Sequence, residues 1–364
     1  MKEQQRRILL AAGGTGGHVF PALAIADEII KLKPQTVFLF VGTKQKIEAR
    51  VVPQRGYAFA AIWISGFHRR LRIGNLLFPL KVMISFIQSF FLIRRFKPDV
   101  VVGTGGYVCG PILYVASMLG IPIVVHESNS YPGITTRLLS GRATKIFTAF
   151  AKTNQWLRRQ DNIELVGTPT RDVLGSVSKE DGLKFFHLDP AKKTVFAFGG
   201  SLGASSINNA LRTVAPLLHA AGFQCIWQTG RTDAAVVNEM KTKNIGYVSE
   251  FIDAMEYAYA AADVVVSRAG ATTLAEITRL GKPAILVPYP FAAADHQTFN
   301  AQTMVDAGAA LLIPDSRVQN ELQESIFTLL RDSSLQDSMS SASLRLGKRD
   351  AGSVIAQRIL ELKN

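Results

Sequence analysis

The sequence predicts an α/β protein made of two doubly wound domains in tandem. Three observations support this fold class: short apolar runs alternate with helical patterns, the alternation occurs twice along the 364 residues, and each half has a glycine-rich turn between a strand and a helix. Apolar strands without polar alternation, separated by helices, are typical of parallel sheets covered on both faces. A chain of this length also exceeds what a single hydrophobic core usually holds.

The apolar runs predict the elements of each half. In the first half we expect a helix over 21–33 and strands at 8–12, 37–41, 100–102 and 121–125. In the second half we expect a helix that starts near Ser205, whose hydroxyl is a suitable N-cap, and strands at 194–198, 224–228, 264–267 and 284–287. Glycine and proline within 166–169 predict the link between the two halves.

The distribution of charge suggests a polyanionic partner for the first half. The chain has a formal net charge of +13. Residues 1–170 contain 22 Lys and Arg against 8 Asp and Glu, whereas residues 171–364 contain 19 against 20, so the basic excess lies entirely in the first half. Nucleic acid or an anionic membrane surface would be attracted by such an excess. No recognition module or patch of aromatic and basic residues supports nucleic acid, which we therefore do not expect.

The cysteines and the apolar segments exclude several protein classes. Cys109 and Cys225 lie in unrelated contexts without metal-ligand spacing, so we expect buried, reduced thiols. The N-terminal apolar residues run directly into a glycine turn and lack a cleavage site, which disfavours a signal peptide. The uncharged part of the most apolar segment, residues 82–93, has 12 residues, whereas a membrane-spanning helix needs about 20. We therefore expect no transmembrane helix.

Two glycine-rich turns are the candidate binding sites. Residues 13–18 (GGTGGH) and 199–204 (GGSLGA) each follow a predicted strand and precede a predicted helix. Such a turn directs backbone N–H groups and the positive end of a helix at an anion, typically a phosphate. Ligands of doubly wound sheets bind beyond the carboxyl ends of the strands, so we expect a site in a cleft between two facing domains. The alternative is that these glycines only make tight turns.

Both turns lack the features of two common nucleotide-binding motifs. The dinucleotide fingerprint requires a third glycine where Val19 stands, and an acidic residue at the end of the second strand, where residues 41–44 are VGTK. The P-loop requires Gly-Lys-Ser/Thr, which follows neither turn. NAD-dependent enzymes and P-loop enzymes are therefore disfavoured.

His18, which ends the first glycine turn, is the candidate catalytic base. The positive end of a helix disfavours the imidazolium form, which suits a neutral general base. A structural histidine is the alternative. His126 and Glu127 do not form an HExxH motif and the chain has no Asp-x-Asp pair, so we expect no metal and no cofactor. A diphosphate leaving group would then be neutralised by helix ends and by side chains such as Arg171.

Seven segments resemble glycosyltransferase family 28 and occur in that family's order. They are residues 13–26 (GGTGGHVFPALAIA), 103–111 (GTGGYVCGP), 126–129 (HESN), 167–171 (GTPTR), 199–204 (GGSLGA), 250–276 and 295–301 (DHQTFNA). The resemblance covers nearly the whole chain. It implies a GT-B fold, in which two doubly wound, Rossmann-like domains face each other across a cleft. It also implies inverting, metal-independent transfer of N-acetylglucosamine from UDP-N-acetylglucosamine.

The same resemblance implies a lipid-linked acceptor. The acceptor would be the C4 hydroxyl of the N-acetylmuramoyl group of undecaprenyl-diphospho-N-acetylmuramoyl-pentapeptide, so that lipid I becomes lipid II in peptidoglycan synthesis. The enzyme would be peripheral, at the cytoplasmic face of the inner membrane. Residues 1–168 would bind acceptor and membrane, residues 169–344 would bind the donor, and a C-terminal helix at about 345–364 would pack back on the first domain.

The motif positions that carry the resemblance also imply the donor-binding residues. Thr15, Gly16 and Gly17 would lie near the diphosphate and sugar, and Arg171 and Ser201 would contact the diphosphate. Asn129 and Gln297 would contact the sugar, and Ile252 would contact the uracil through its backbone. A turn and helix start beside the nucleotide would consist of Ala271, Thr272, Thr273, Leu274, Ala275 and Glu276, with Glu276 accepting both ribose hydroxyls.

Other residues are candidates for the acceptor side, and some depart from the family pattern. Tyr107 and Glu127 are acceptor candidates, although Glu127 could instead orient His18. Three positions differ from the commoner family residues: Leu202 and Ser128 each replace a glutamine, and Thr168 replaces an asparagine. The change at Leu202 removes an amide that could contact the donor.

A basic and apolar segment is the candidate membrane-docking surface. Bulky apolar residues at 73, 76–78, 80 and 82 are interleaved with Arg69, Arg70, Arg72 and Lys81. This composition suits docking on anionic lipid. The alternative is a core helix with solvated flanks.

Three other functions are compatible with parts of the sequence. Another GT-B transferase could use a different sugar or a different lipid acceptor. A UDP-N-acetylglucosamine epimerase of the same fold would leave the docking segment unexplained. A non-catalytic nucleotide-sugar sensor or membrane scaffold would not need His18, Arg171 and Glu276.

Overall fold

The chain folds as two compact units. The computed structural model describes residues 5–66, 77–200, 202–243 and 245–362. Unit 1 comprises Met1–Thr170 and Asp350–Asn364, and unit 2 comprises Arg171–Arg349. Each unit contains one parallel β-sheet with helices, which confirms the predicted α/β class with two doubly wound sheets.

Unit 1 is built on a seven-stranded parallel sheet in the order β3-β2-β1-β4-β5-β6-β7. Its strands are β1 (Arg7–Ala12), β2 (Val37–Gly42), β3 (Ala58–Ala61), β4 (Val100–Gly105), β5 (Ile123–Glu127), β6 (Lys145–Thr148) and β7 (Ile163–Leu165). In the central strand, Leu9 pairs with Leu39 of β2 and Val101 of β4 and is fully buried. The strand order reverses between β1 and β4, so the topological switch point lies there.

The helices of unit 1 lie between the strands in sequence. They are α1 (Gly16–Leu32), α2 (Glu48–Gln54), α3 (Phe78–Phe96), α4 (Cys109–Met118) and α5 (Ile134–Leu139), with a 3₁₀ helix at Ala151–Trp156. Helix α1 starts at Gly16 rather than at the predicted residue 21. The reason is that the extended Thr15 is its N-cap and accepts hydrogen bonds from the backbone N–H groups of His18 (3.1 Å) and Val19 (3.2 Å). Pro21 therefore lies inside the helix.

Unit 2 has a six-stranded parallel sheet in the order β10-β9-β8-β11-β12-β13. Its strands are β8 (Thr194–Phe198), β9 (Gln224–Gln228), β10 (Gly246–Ser249), β11 (Val264–Ser267), β12 (Ala284–Leu286) and β13 (Ala310–Leu312). The predicted strands at 194–198, 224–228 and 264–267 are confirmed with the same bounds. The switch point lies between β8 and β11, which repeats the arrangement of β1 and β4 in unit 1.

Eight helices accompany this sheet in the described part of unit 2. They are α6 (Lys179–Phe185), α7 (Ser205–Ala220), α8 (Ala234–Lys241), α9 (Met255–Ala261), α10 (Ala271–Leu280), α11 (His296–Asp306), α12 (Val318–Arg331) and α13 (Ser333–Leu346), with 3₁₀ helices at Arg231–Asp233, Ala293–Asp295 and Asp315–Arg317. The prediction that Ser205 caps α7 is wrong. The chain leaves the glycine turn at Gly203, so the extended cap position falls on Ala204 and Ser205 is already helical.

The last helix, α14 (Ala351–Glu361), belongs to unit 1. Its Ile355, Ala356 and Ile359 are fully buried in the same hydrophobic core as residues of β1 and α1. The guanidinium group of Arg6 donates to the backbone oxygens of Leu360 (2.7 Å) and Ile359 (2.9 Å). Carbonyl groups at the end of a helix have no intrahelical donor, so Arg6 stabilises α14 against unit 1.

Cys109 and Cys225 are both buried and unbridged, as predicted, and burial raises the pKa of each thiol to about 12. Over the described ranges, no helix has the combination of length and apolarity that crossing a membrane requires.

Candidate active site

The first glycine turn packs directly against the turn that follows β4. The backbone N–H of Gly13 donates to the carbonyl oxygen of Gly105 at 3.3 Å. A side chain at Gly106 would place its Cβ 2.2 Å from the carbonyl oxygen of Gly13, so only glycine permits this approach. Gly14 and Gly106 also have positive φ angles of 92° and 89°, which favour glycine. The turn therefore lies at the switch point of unit 1, where ligands bind in doubly wound sheets.

His18 is held within the first turn of α1, beside the end of β4. The hydroxyl of Thr104 donates to the backbone oxygen of His18 at 2.7 Å. The imidazole lies against Gly105, where a Cβ would be 2.3 Å from Nδ1. Thr15, Gly16 and Gly17 form the cap and first residues of the same helix. The predicted base and the predicted phosphate-binding amides thus occupy one corner of unit 1.

Glu48, which the sequence analysis did not single out, supports this corner. Its carboxylate is buried and accepts hydrogen bonds from the N–H of Gly14 (3.2 Å), the N–H of Thr43 (3.0 Å) and the hydroxyl of Thr43 (2.8 Å). A side chain at Gly13 or Gly42 would collide with Glu48. A glutamate a few residues after the predicted strand at 37–41 was the sequence signal that could have identified it.

Glu127 ends β5 and holds the following loop. Its carboxylate accepts from the N–H and the side-chain amide of Asn129 (both 3.1 Å), the N–H of Gly133 (3.0 Å) and the hydroxyl of Thr136 (2.7 Å). None of these four bonds reaches His18. The geometry favours a third role beside the two that the sequence left open, in which Glu127 positions Asn129.

The neighbouring His126 is hydrogen-bonded to Gly167 and to Ser128. It is buried, and burial lowers the pKa of its imidazole. Its Nε2 lies 3.0 Å from the backbone oxygen of Gly167, which can only accept, so Nε2 carries the proton. Nδ1 then accepts from the hydroxyl of Ser128 at 3.3 Å. Ser128 thus has a structural partner in His126.

Tyr107 and Thr168 differ in their exposure. Tyr107 follows the glycines of the β4 turn and its side chain is 51% exposed, so it is available to a ligand. Thr168 is buried, and its hydroxyl oxygen has no hydrogen-bond partner among the described residues.

Unit 2 repeats the paired glycine turns. The N–H of Gly203 donates to the carbonyl oxygen of Gly200 at 3.1 Å, which closes the turn after β8. A Cβ at Gly203 would be 2.2 Å from the backbone oxygen of Thr229, the residue that follows β9. Leu202 is 65% exposed on this turn. Ser201, predicted to contact phosphate, lies outside the described residues.

Arg171 and Glu276 are bonded to one another in unit 2. Arg171 donates to Oε1 of Glu276 from Nη2 (3.0 Å) and Nε (3.3 Å), while the hydroxyl of Tyr259 donates to Oε2 at 2.9 Å. Burial raises the pKa of Glu276, and both partners oppose that effect because they favour the carboxylate. Tyr259 is fully buried and was missed by the sequence analysis, because a tyrosine in a small-residue helix resembles ordinary core.

The start of α10 lies within a few residues of Glu276 in sequence. Ala271, Thr272 and Thr273 form its first turn after the N-cap Gly270, and Leu274, Ala275 and Glu276 follow. The first residues of a helix present unpaired N–H groups. The hydroxyl oxygen of Thr272 is buried and has no partner in the described part of the chain, so it is suited to receive a ligand atom.

Ile252 and Gln297 are both held through hydrogen bonds to neighbouring segments. The N–H of Ile252 donates to Oε1 of Gln228 at 2.9 Å. Oε1 of Gln297 accepts from the N–H of Tyr289 at 2.9 Å, which leaves its amide nitrogen as the donor. No group of three or more potential metal ligands occurs among the described residues.

Comparison with known proteins agrees with this architecture. Residues 8–148 match the glycosyltransferase family 28 N-terminal domain, and residues 194–355 match the family's C-terminal domain. Relatives from Flavobacterium psychrophilum and Prosthecochloris aestuarii are each 40% identical to the chain, over 99% and 98% of its length and 98% and 99% of theirs. The chain belongs to glycosyltransferase family 28. Both relatives are named UDP-N-acetylglucosamine--N-acetylmuramyl-(pentapeptide) pyrophosphoryl-undecaprenol N-acetylglucosamine transferase.

A solved structure of the same family has a similar fold. The crystal structure of Acinetobacter baumannii MurG matches with a TM-score of 0.78 and 27% identity, over 98% of this chain and 100% of that one. The predicted membership of family 28 and the predicted two-domain Rossmann-like fold are confirmed.

Proposed function

We propose that this chain transfers N-acetylglucosamine from UDP-N-acetylglucosamine to the C4 hydroxyl of the N-acetylmuramoyl group of undecaprenyl-diphospho-N-acetylmuramoyl-pentapeptide, so that lipid I becomes lipid II. The observation that carries the proposal is 40% identity, over nearly the full length, to transferases whose name states this donor group and acceptor. The arrangement of residues at the switch point of each unit supports it.

Unit 2 binds the donor in this proposal. The turn after β8 and the first turn of α10 receive the diphosphate, because each lies at the start of a helix, where the positive end of the helix dipole attracts an anion. The carboxylate of Glu276 accepts the ribose hydroxyls, the backbone of Ile252 contacts the uracil, and Gln297 contacts the sugar. The bonds from Tyr259 and Arg171 support the ribose role, since both lower the pKa of the buried carboxyl group and so favour its ionised form.

Arg171 contacts the diphosphate as well as Glu276 in this proposal. Its guanidinium is bonded to Glu276 and its side chain is 44% exposed, so its other N–H groups can reach a phosphate oxygen. A diphosphate carries more charge than a carboxylate and offers more acceptor atoms to the guanidinium group. Arg171 then stabilises the negative charge that develops on the leaving UDP.

His18 serves as the general base for the acceptor. Its imidazole takes the proton from the C4 hydroxyl while that oxygen attacks the anomeric carbon on the face opposite UDP. The new C–O bond forms as the bond to the diphosphate oxygen breaks, which inverts the anomeric configuration. Thr104 and Gly105 support this role because they hold His18 at the switch point. Tyr107 and the Asn129 loop line the same edge of the unit 1 sheet.

The charge on the leaving diphosphate is neutralised without a metal ion in this proposal. Arg171, the glycine-turn amides and the helix starts supply the positive charge, and no cofactor takes part. Removing one such donor typically costs about 3 kcal/mol of transition-state stabilisation.

Helix α3 carries the membrane-docking surface. Its exposed face holds Met83, Ile87 and Phe91, which are 55%, 50% and 65% exposed, whereas Ser85 and Ser89 are fully buried. This distribution favours docking over the alternative of a core helix. Arg94, Arg95 and Lys97 are exposed at the end of the helix and suit contact with anionic lipid.

Of the four basic residues predicted for this surface, only Lys81 lies among the described residues. Lys81 is half-buried, with Nζ 3.1 Å from the hydroxyl of Ser65 and 5.7 Å from the ring centre of Trp63. Arg69, Arg70 and Arg72 lie outside the described residues. The proposal keeps all four as contacts to an anionic membrane, with the enzyme peripheral at the cytoplasmic face.

A single assay tests the proposed reaction. The wild-type chain is mixed with a lipid I analogue and UDP-N-acetylglucosamine in the presence of a chelator, and the lipid product and UDP are measured. We expect a disaccharide-linked lipid and an equal amount of UDP. UDP release with a diacylglycerol acceptor but not with the lipid I analogue would favour the rival transferase, and no disaccharide product would overturn the proposal.

A further inference from the structure

Gln228 joins two segments of unit 2 that are separate in sequence. It is the last residue of β9 and its side chain is buried at 3% exposure. Its amide oxygen accepts from the N–H of Ile252 at 2.9 Å, and its amide nitrogen donates to the carbonyl oxygen of Gly200 at 3.1 Å. Because an N–H can only donate and a carbonyl can only accept, these two partners determine the orientation of the amide.

The bond from Gln228 reaches the same carbonyl oxygen of Gly200 that closes the glycine turn. The carbonyl oxygen of Gly200 already accepts from the N–H of Gly203, so Gln228 provides its second donor. Gly200 has a φ of 90°, a conformation that glycine adopts easily and that the backbone can also leave easily. The second donor therefore restricts the orientation of this peptide.

The bond to Ile252 lies just beyond the last backbone hydrogen bonds between the β9 end and the β10 end. The N–H of Thr229 donates to Ser249 and the N–H of Gly230 donates to Glu250, so the chain is held as far as residue 250. Gln228 extends the connection to residue 252 itself. Since those backbone bonds remain when Gln228 is replaced, we expect the fold to survive a substitution.

We propose that Gln228 is a positioning residue that sets the spacing between the phosphate-binding turn and the Ile252 segment, so that one nucleotide diphosphate contacts both. The inference rests on the proposed binding of UDP-N-acetylglucosamine by unit 2. Gln228 itself does not touch the donor; it acts through Gly200 and Ile252.

The same strand offers a matched control. Gln224, at the other end of β9, is also buried, donates from Nε2 to the backbone oxygen of Asp189 (2.8 Å) and accepts from the Asp189 N–H (3.0 Å). Gln228→Glu keeps the shape but turns an oxygen towards the oxygen of Gly200. Gln224→Glu introduces the same chemical change at the edge of the sheet away from the glycine turn.

The test measures the binding of UDP and UMP by calorimetry and the KM values for donor and acceptor. We expect Gln228→Glu to weaken UDP binding at least tenfold, about 1.4 kcal/mol, while UMP binding falls less because UMP reaches the turn with one phosphate. The KM for UDP-N-acetylglucosamine should rise by a similar factor, with the KM for the acceptor unchanged. Gln224→Glu should change none of these values by more than about twofold, well under the 1.4 kcal/mol that a factor of ten represents.

A second variant covers the case in which the buried charge of Gln228→Glu unfolds the chain. Gln228→Met has a similar length and no charge, and should also lower the preference for UDP over UMP. If the Gln228 variants lost the same factor in affinity for UDP and for UMP, or lost no more affinity than Gln224→Glu, the inference about Gln228 would be wrong. The proposed function would not be affected by that result. Absence of UDP binding by the wild-type chain would overturn the proposed function together with the inference.

Discussion

The guanidinium group of Arg171 lies 3.0 Å from the buried carboxylate of Glu276, across 105 residues of sequence. Both residues were predicted to contact the donor, but at different groups, the diphosphate and the ribose. Their pairing means that the charge state of one affects the other. Burial raises the pKa of Glu276, while Arg171 and the hydroxyl of Tyr259 lower it.

This pairing predicts a pH dependence of donor binding. Glu276 accepts ribose hydroxyls best when it is ionised, so UDP affinity should fall as the pH decreases through its pKa, which lies above the usual 4.5. Arg171→Ala removes a partner that lowers this pKa, so the decline should begin at a higher pH. UDP binding measured by calorimetry across the pH range tests this.

The matched control for this prediction is Arg212→Ala. Arg212 forms an ion pair with Glu239 at 2.8 Å, but both side chains are more than 40% exposed. An exposed pair contributes little, so the pH dependence of UDP binding should not change. Equal pH profiles for wild type and Arg171→Ala would contradict the assigned coupling.

Replacement of His18 should separate binding from turnover. In His18→Ala the donor contacts of unit 2 are intact, so the affinity for UDP should stay within about twofold. The general base is lost, and such a base typically contributes about 10²- to 10⁴-fold to the rate. Steady-state rates with the lipid I analogue measure this; His219→Ala, at the end of α7 in unit 2, is the control. Full activity of His18→Ala would exclude the base role.

Replacement of Glu48 should destabilise the first glycine turn. Gln can accept with only one of its two terminal atoms, so in Glu48→Gln an amide N–H₂ group faces N–H or O–H donors of Gly14 or Thr43. We expect a loss of about 1–3 kcal/mol in the free energy of unfolding, and a lower kcat because the turn carries His18. Urea denaturation and rate measurements test this. Glu324→Gln, on an exposed position of α12, should have neither effect.

Replacement of Arg6 should loosen the C-terminal helix. Arg6→Ala removes the charged donor to the carbonyl oxygens of Ile359 and Leu360. A hydrogen bond to a charged group typically contributes about 1.5–3 kcal/mol to stability. We expect a loss of at least the lower value in the free energy of unfolding and faster amide exchange in α14. Arg50→Ala, an exposed arginine of α2, should cost no more than about 0.5 kcal/mol. Unchanged exchange in α14 would contradict the anchoring role.

The exposed face of α3 predicts membrane binding through apolar contact. Ile87→Glu and Phe91→Glu each replace an exposed apolar side chain whose burial is typically worth about 1.5–3 kcal/mol. Each change should reduce co-sedimentation with vesicles of anionic phospholipid at least tenfold, since about 1.4 kcal/mol is a factor of ten. Leu217→Glu, on an exposed position of α7 in unit 2, should leave sedimentation unchanged. Equal binding of all three variants would exclude α3 as the docking surface.

The sequence predicted most of the elements because their signals are local. The strands at 194–198, 224–228 and 264–267 are short apolar runs between turn residues, and their bounds agree with the structure. Helix starts were less accurate, since a cap depends on backbone conformation: α1 begins at Gly16 and α7 has Ala204 as its cap. The glycine turns were recognised from their own residues, and the structure adds that each is packed against a second turn.

By itself the sequence determined the class of fold, the family, the two glycine turns and the candidate residues His18, Arg171 and Glu276, because each is carried by a contiguous motif. Only the tertiary structure decided which of these are bonded to one another and which residues hold them. Glu48, Gln228 and Tyr259 each make at least one hydrogen bond that spans 17 to 34 residues of sequence. A buried polar side chain needs a partner, but the fold selects that partner by bringing separate strand ends together.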